Sequence, residues 1–119
     1  MVEAVRIMVY VRDVGVVKQF WVDYFKPLEV REEVLPEGYV NVVITLKEGI
    51  ELSLFPIPFI EKYSPEVLGN TPSLMLSVAD LDGYHDALPA AGDIVMINGD
   101  RLFNVPDPEG HYVVLREFK

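Results

Sequence analysis

Arg6-Ile-Met-Val-Tyr-Val-Arg-Asp13 returns, in spacing and in residue character, as Ser73-Leu-Met-Leu-Ser-Val-Ala-Asp80. Each stretch is an apolar run ending on an aspartate, so each reads as a strand that delivers the N-cap of a helix. After Asp13, the residues Val14, Val17, Phe20, Trp21, Tyr24 and Phe25 recur at three- and four-residue spacing and stop before Pro27, which predicts an amphipathic helix. After Asp80, Leu81, Tyr84, His85 and Leu88 outline a shorter one, ended by Pro89 and Gly92. Self-similarity of this kind points to a duplicated structural unit.

The flanking segments extend the repeat. Residues 28–34, 39–46 and 50–55 are β-prone runs separated by Pro36-Glu-Gly38 and Lys47-Glu-Gly49, an antiparallel meander. Residues 94–97, 102–105 and 112–118 supply three further strands, the last two joined through Asp107-Pro-Glu-Gly110. In that turn Asp107 can bond the backbone ahead of it, Pro108 presets its φ, and Gly110 lets the chain leave. Glu51-Leu-Ser-Leu-Phe55 superposes on Val114-Leu-Arg-Glu-Phe118 near the end of each unit. The expected fold is α+β, two βαβββ modules in a single domain: module one over 4–57, a connector over 58–71, and module two over 72–119. The segment 56–72 carries four prolines and is expected to hold one helical turn near 65–68. Its apolar residues Ile57, Phe59, Ile60, Tyr63, Val67 and Leu68 are expected to cover a cavity mouth or a partner subunit.

Composition narrows the chemistry. The 119 residues contain no cysteine, which removes disulfides, thiolate nucleophiles and Cys-ligated zinc, and only His85 and His111 as imidazoles. Nineteen acidic against ten basic residues leave a net charge of −9, which opposes nucleic-acid binding and favours neutral or cationic ligands. No apolar run approaches the roughly 20 residues of a membrane span, and the N-terminus lacks a signal-peptide pattern, so a cytoplasmic location is expected.

Val9-Tyr-Val-Arg-Asp13 leading into Phe20-Trp21, then Leu76-Ser-Val78, then Phe103 through Asp107-Pro-Glu-Gly110 ahead of the last strand, together resemble the vicinal oxygen chelate superfamily. That superfamily includes glyoxalase I, extradiol dioxygenases and bleomycin or fosfomycin resistance proteins. The resemblance implies two βαβββ modules that curl into half-open sheets around a concave ligand cavity, commonly in a homodimer. It also implies four metal-ligand places in the metal-using members. Here they fall on Arg6, Ser73, Glu51 and Val114, and among these only Glu51 is a plausible ligand. A cation at Arg6 opposes a divalent metal, so no cofactor is expected, with a divalent metal as the alternative.

Strand alternation then separates two faces. Arg6, Met8 and Tyr10, Glu51, Ser53 and Phe55, Ser73, Met75 and Ser77, and Tyr112, Val114 and Arg116 share the mixed face expected to line the ligand site. Ile7, Val9, Val11, Leu52, Leu54, Leu74, Leu76, Val78 and Leu115 are expected under the helices. Arg6 and Glu51 are expected to pair, since a partly buried charge needs a partner. Tyr10, Phe55, Phe103 and Tyr112 are candidates for stacking on a flat ligand or for core and dimer contacts. No catalytic residue stands out: His111 is expected at the exposed hairpin end and His85 in a solvated or capping role. Three readings stay open: a metal-free small-molecule binder that sequesters a toxic or cationic compound; a metal-dependent lyase, isomerase or dioxygenase with a divergent site, using Glu51 and His111; and a structural dimer module whose cavity is filled by its own side chains.

Overall fold

The structure is a computed structural model that describes residues 1–119. The chain divides into two compact units, Met1–Pro72 and Ser73–Lys119. The first contains β1 (Val5–Val11), α1 (Val14–Phe25), β2 (Glu29–Val34), β3 (Val40–Lys47), β4 (Ile50–Pro56) and α2 (Ile57–Tyr63). The second contains β5 (Leu74–Val78), α3 (Leu81–Ala87), β6 (Val95–Ile97), β7 (Asp100–Pro106) and β8 (Tyr112–Glu117).

Each unit builds one four-stranded sheet, in the order β1-β4-β3-β2 in the first and β5-β8-β7-β6 in the second. The three later strands of each unit form an antiparallel meander, and the first strand joins the last in parallel. The parallel pairing follows from the helix: it carries the chain back over the sheet, so strands flanking the βα unit run the same way. Two βαβββ modules in an α+β fold are therefore present.

The repeat extends to the helix caps. The Asp13 carboxylate accepts from the Val16 amide at 3.1 Å, and the Asp80 carboxylate accepts from the Gly83 amide at 3.1 Å. Each satisfies one of the amides that a helix start leaves unpaired. α1 buries Val17 and Trp21 against the face of the first sheet that carries Val9, Val11, Val42, Ile44, Leu52 and Leu54. In the second unit, Leu81 and Leu88 are buried together with Phe103, Val105, Val113 and Leu115. The aliphatic face is thus under the helices in both, as alternation predicts.

Three details differ from the sequence expectation. First, the connector holds a full helix, α2, where prolines suggested only a turn near 65–68; that turn is also present, as a short 3-10 segment at Pro65–Val67. Pro58 falls in the first turn of α2, where its missing N–H would have had no helical partner anyway, so it starts the helix instead of breaking it. Second, β7 begins at Asp100, because Ile97 pairs with Asp100 across a two-residue Asn98-Gly99 loop with positive φ at both positions. That is the hairpin turn whose twist matches its strands. Third, the ladders shift one correspondence: Met8 lies opposite Ser53, while its repeat counterpart Met75 lies opposite Val114. The counterpart of Val114 is therefore Ser53, two residues beyond Glu51. An even slip leaves every side chain on its original face, so the division into faces survives it.

Candidate functional site

In the first unit the register brings Arg6, Met8 and Tyr10 of β1 level with Glu51, Ser53 and Phe55 of β4, on the face away from α1. Val43 and Thr45 of β3 lie on the same face, paired with Ser53 and Glu51, and beyond them Arg31 of β2 pairs with Val43. Arg6 Nη2 sits 3.1 Å from Glu51 Oε1, so the expected pair forms. It is half of a larger group. Arg6 also holds Glu33 with both terminal nitrogens, at 3.1 and 3.3 Å, while Arg31 contacts Glu51 Oε2 at 2.9 Å and Glu33 Oε2 at 3.5 Å. Two guanidinium groups and two carboxylates alternate in a closed quartet.

β1 and β2 are the opposite edges of this sheet, so the direct Arg6–Glu33 contact reaches across the whole width of its face. Ser53 and Val43, at the centre of that face, are fully buried. Asn41 is buried too and donates from Nδ2 to Glu33 Oε1 at 2.8 Å, which fixes its amide so that Oδ1 is the free acceptor. Neither Asn41 Oδ1 nor Ser53 Oγ has a hydrogen-bond partner within the chain.

The electrostatics follow the contacts. Hydrogen bonds from Arg31, then from Arg6, hold the Glu51 carboxyl below its ordinary range. Arg6 is held above its own, chiefly by the hydrogen bond to Glu33 and then that to Glu51. Both Glu51 oxygens are engaged by cations, and a divalent metal brought to them would meet two guanidinium groups. The donor set of this face does not fit a metal. Ser73 and Val114, the places the resemblance assigns in the second unit, are a hydroxyl and a hydrocarbon.

Beside the quartet runs a row of aromatic rings. Tyr10 meets Phe55 edge-on at 6.3 Å, Phe55 stacks on Phe59 at 6.1 Å, and Phe59 stacks on Tyr63 at 4.8 Å, with Tyr39 against Phe59 at 5.7 Å. The helical part of the connector thus packs on its own unit: Ile60 is buried and α2 lies against β4 and β1, while Tyr63 and Leu68 are exposed. At the free edge of β1, Ile7, Met8 and Tyr10 and the segment 69–72 enclose a groove of about 550 Å³, open to solvent. Met8 and Tyr10 fall on the mixed face that alternation picks out, whereas Asn70 and Thr71 carry no periodic signal in the sequence.

In the second unit Met75 lies opposite Val114, and Arg116 reaches across to Ser77 Oγ at 3.0 Å. Tyr112 and Met75 are more than half exposed. Ser73 precedes β5 and is also exposed. Phe103 is a correction. It pairs with Leu115 in the ladder, is 1% exposed, and packs edge-on against His85 at 5.0 Å, so it belongs to the helix-side core and not to the ligand face. His85 is partly exposed, and its Nε2 lies 2.8 Å from the Gly92 carbonyl. His111 is half-buried, with Nδ1 3.2 Å from Asp107 Oδ2, an ion-pair distance off the hydrogen-bonding direction. Asp107 organises the turn, its Oδ1 accepting the amides of Glu109 at 2.8 Å and His111 at 2.9 Å.

No family model and no curated protein matches the chain by sequence. Solved structures match over nearly its whole length. A glyoxalase family protein from Enterococcus faecalis is 22% identical, with 98% of this chain and 97% of that one covered and a TM-score of 0.70. TnmS3, an antibiotic binding protein from Streptomyces sp. CB03234, is 17% identical over 98% and 95% of the two chains with a TM-score of 0.76. A lactoylglutathione lyase from Agrobacterium tumefaciens is 17% identical over 94% and 90%, with a TM-score of 0.70. At these identities the likeness is one of architecture, and with the duplicated βαβββ unit it establishes that the chain has the vicinal oxygen chelate, glyoxalase-like fold.

Proposed function

We propose that this chain binds a small organic molecule without a metal, at the groove beside β1, and acts by sequestering it. The observation that carries the reading is the arrangement on the first sheet: a guanidinium–carboxylate quartet takes up both carboxylates, Glu33 and Glu51, that a metal could use there, while Met8 and Tyr10 remain open beside it. A groove of about 550 Å³ lies within the size range of small-molecule sites. That an antibiotic binding protein shares the fold supports binding as the activity; a shared fold alone does not decide it, since one scaffold serves many chemistries. A homodimer and a cytoplasmic setting belong to the same reading. No helix is long and apolar enough to cross a membrane.

The test is elemental analysis of the purified protein followed by a thermal-shift screen of antibiotics and small metabolites, with and without EDTA. The reading expects ligands that raise the melting temperature equally in both conditions. A stoichiometric divalent metal that is lost in Glu51→Gln, with activity lost alongside, would overturn it.

A further inference from the structure

The net charge of −9 suggests a cationic ligand, yet the groove itself carries no charge. Its lining is Ile7, Met8, Tyr10 and the segment Gly69-Asn-Thr-Pro72, without a carboxylate, an ammonium or a guanidinium. The charged residues nearest along the chain are Arg12, two positions beyond Tyr10 and outside the lining, and Arg6. Arg6 is held in a quartet with two positive and two negative members, so it presents no unbalanced charge to a ligand.

We infer, resting on the small-molecule reading above, that the groove selects an uncharged, planar aromatic ligand bearing polar substituents. Three observations specify the class. Tyr10 is the first of the contacting rings Tyr10, Phe55, Phe59 and Tyr63, so it is a braced wall rather than a mobile side chain. Aromatic walls of this kind favour flat ring systems. Met8 stands half-exposed beside it, and a thioether adapts to the edge or face of an aromatic ring. Asn70 and Thr71 in the lining are exposed and present an amide and a hydroxyl, donors and acceptors that match polar substituents without demanding charge. The acidic surface acts on a ligand only as a long-range field, which salt at physiological strength screens beyond about 8 Å.

The experiment is a fluorescence titration of the full chain with three planar probes: Nile red, which is neutral, proflavine, which is cationic, and pyrenesulfonate, which is anionic. Each is run at about 50 mM and about 500 mM NaCl, which bracket weak and strong screening. Nile red is expected to bind with less than about twofold change between the two salts, and to be the tightest of the three at high salt. Tyr10→Ala is expected to weaken it about fivefold, the loss of one aromatic contact. Thr71→Trp, at an exposed position where folding is not at stake, is expected to weaken binding more than Tyr10→Ala does, by obstructing the groove. Proflavine binding tighter than Nile red at high salt would overturn the neutral-ligand inference and leave the small-molecule reading standing. Nile red binding unchanged in Thr71→Trp would overturn the placement in this groove. If no probe binds, both the inference and the reading beneath it fall.

Discussion

The two sheets share order, ladder pattern and capped helix, yet they treat the face away from the helix in opposite ways. In the first sheet that face is drawn together: Arg6, Glu33, Arg31 and Glu51 join both edge strands to β4, and Ser53 on the same face is fully buried. In the second, Met75 and Tyr112 lie open, Arg116 reaches over to Ser77 and Asp100, and Lys119 also contacts Asp100. The helix side of a βαβββ unit is fixed by the need to bury an aliphatic face. The other side is under no such demand, and there the copies have diverged. Ser53 and its ladder counterpart Val114 illustrate it: a fully buried hydroxyl without a partner in one copy, a partly exposed hydrocarbon in the other.

The largest expected effect tests the shared side. Leu54 and Leu115 are ladder counterparts, both fully buried, so Leu54→Ala and Leu115→Ala should each cost about 3 kcal/mol in urea denaturation, transfer and cavity terms together. A loss confined to one of them would break the equivalence of the two helix sides. Next comes the turn that only the second unit braces with a side chain. Asp107→Ala removes an acceptor of two amides and should cost about 2 kcal/mol, whereas Glu48→Ala, in the exposed turn of the first unit, should stay within about 0.5 kcal/mol. Smaller again is Ser53→Ala. Removing a buried hydroxyl without a partner is expected to be neutral or to stabilise by up to about 1 kcal/mol, and a clear destabilisation would show that the hydroxyl is satisfied in solution.

The smallest effect is electrostatic. Glu51 is held below the ordinary carboxylate range by Arg31 and Arg6, so the folded state binds its proton less readily than the unfolded one. Its contribution is complete above the unfolded pKa and is lost as pH falls through the depressed folded value. Between about pH 6 and about pH 3 the native protein should therefore lose more stability than Glu51→Gln does, and the difference should shrink in high salt because the quartet is solvent-accessible. Identical pH profiles would show that the quartet does not couple to folding.

Much of the fold was legible because it rests on local signals. The Arg6–Asp13 and Ser73–Asp80 runs announced strands and caps, and Asp107-Pro-Glu-Gly110 announced its turn; the caps and the turn are made by the very side chains that carry the motif. Pro58 misled, since a proline in the first turn of a helix looks in sequence like one that prevents it. The site was half legible. Arg6 and Glu51 lie on adjacent strands at matching register, and period-two alternation places them together. Arg31 and Glu33 escaped because β2, Glu-Val-Arg-Glu-Glu-Val, is charged on both faces and only its pairing with β3 decides which charges turn inward. Phe103 was misplaced through its ladder: its level with Leu115 puts it among core residues.

Methionine separates the two faces most directly. Met8 stands at the groove of the first sheet and Met75 at the matching place on the second, both about half exposed. With the methionine methyls labelled with carbon-13, Nile red should shift the Met8 resonance and leave Met75 in place. A shift at Met75 with Met8 unmoved would contradict the assignment of ligand binding to the first unit.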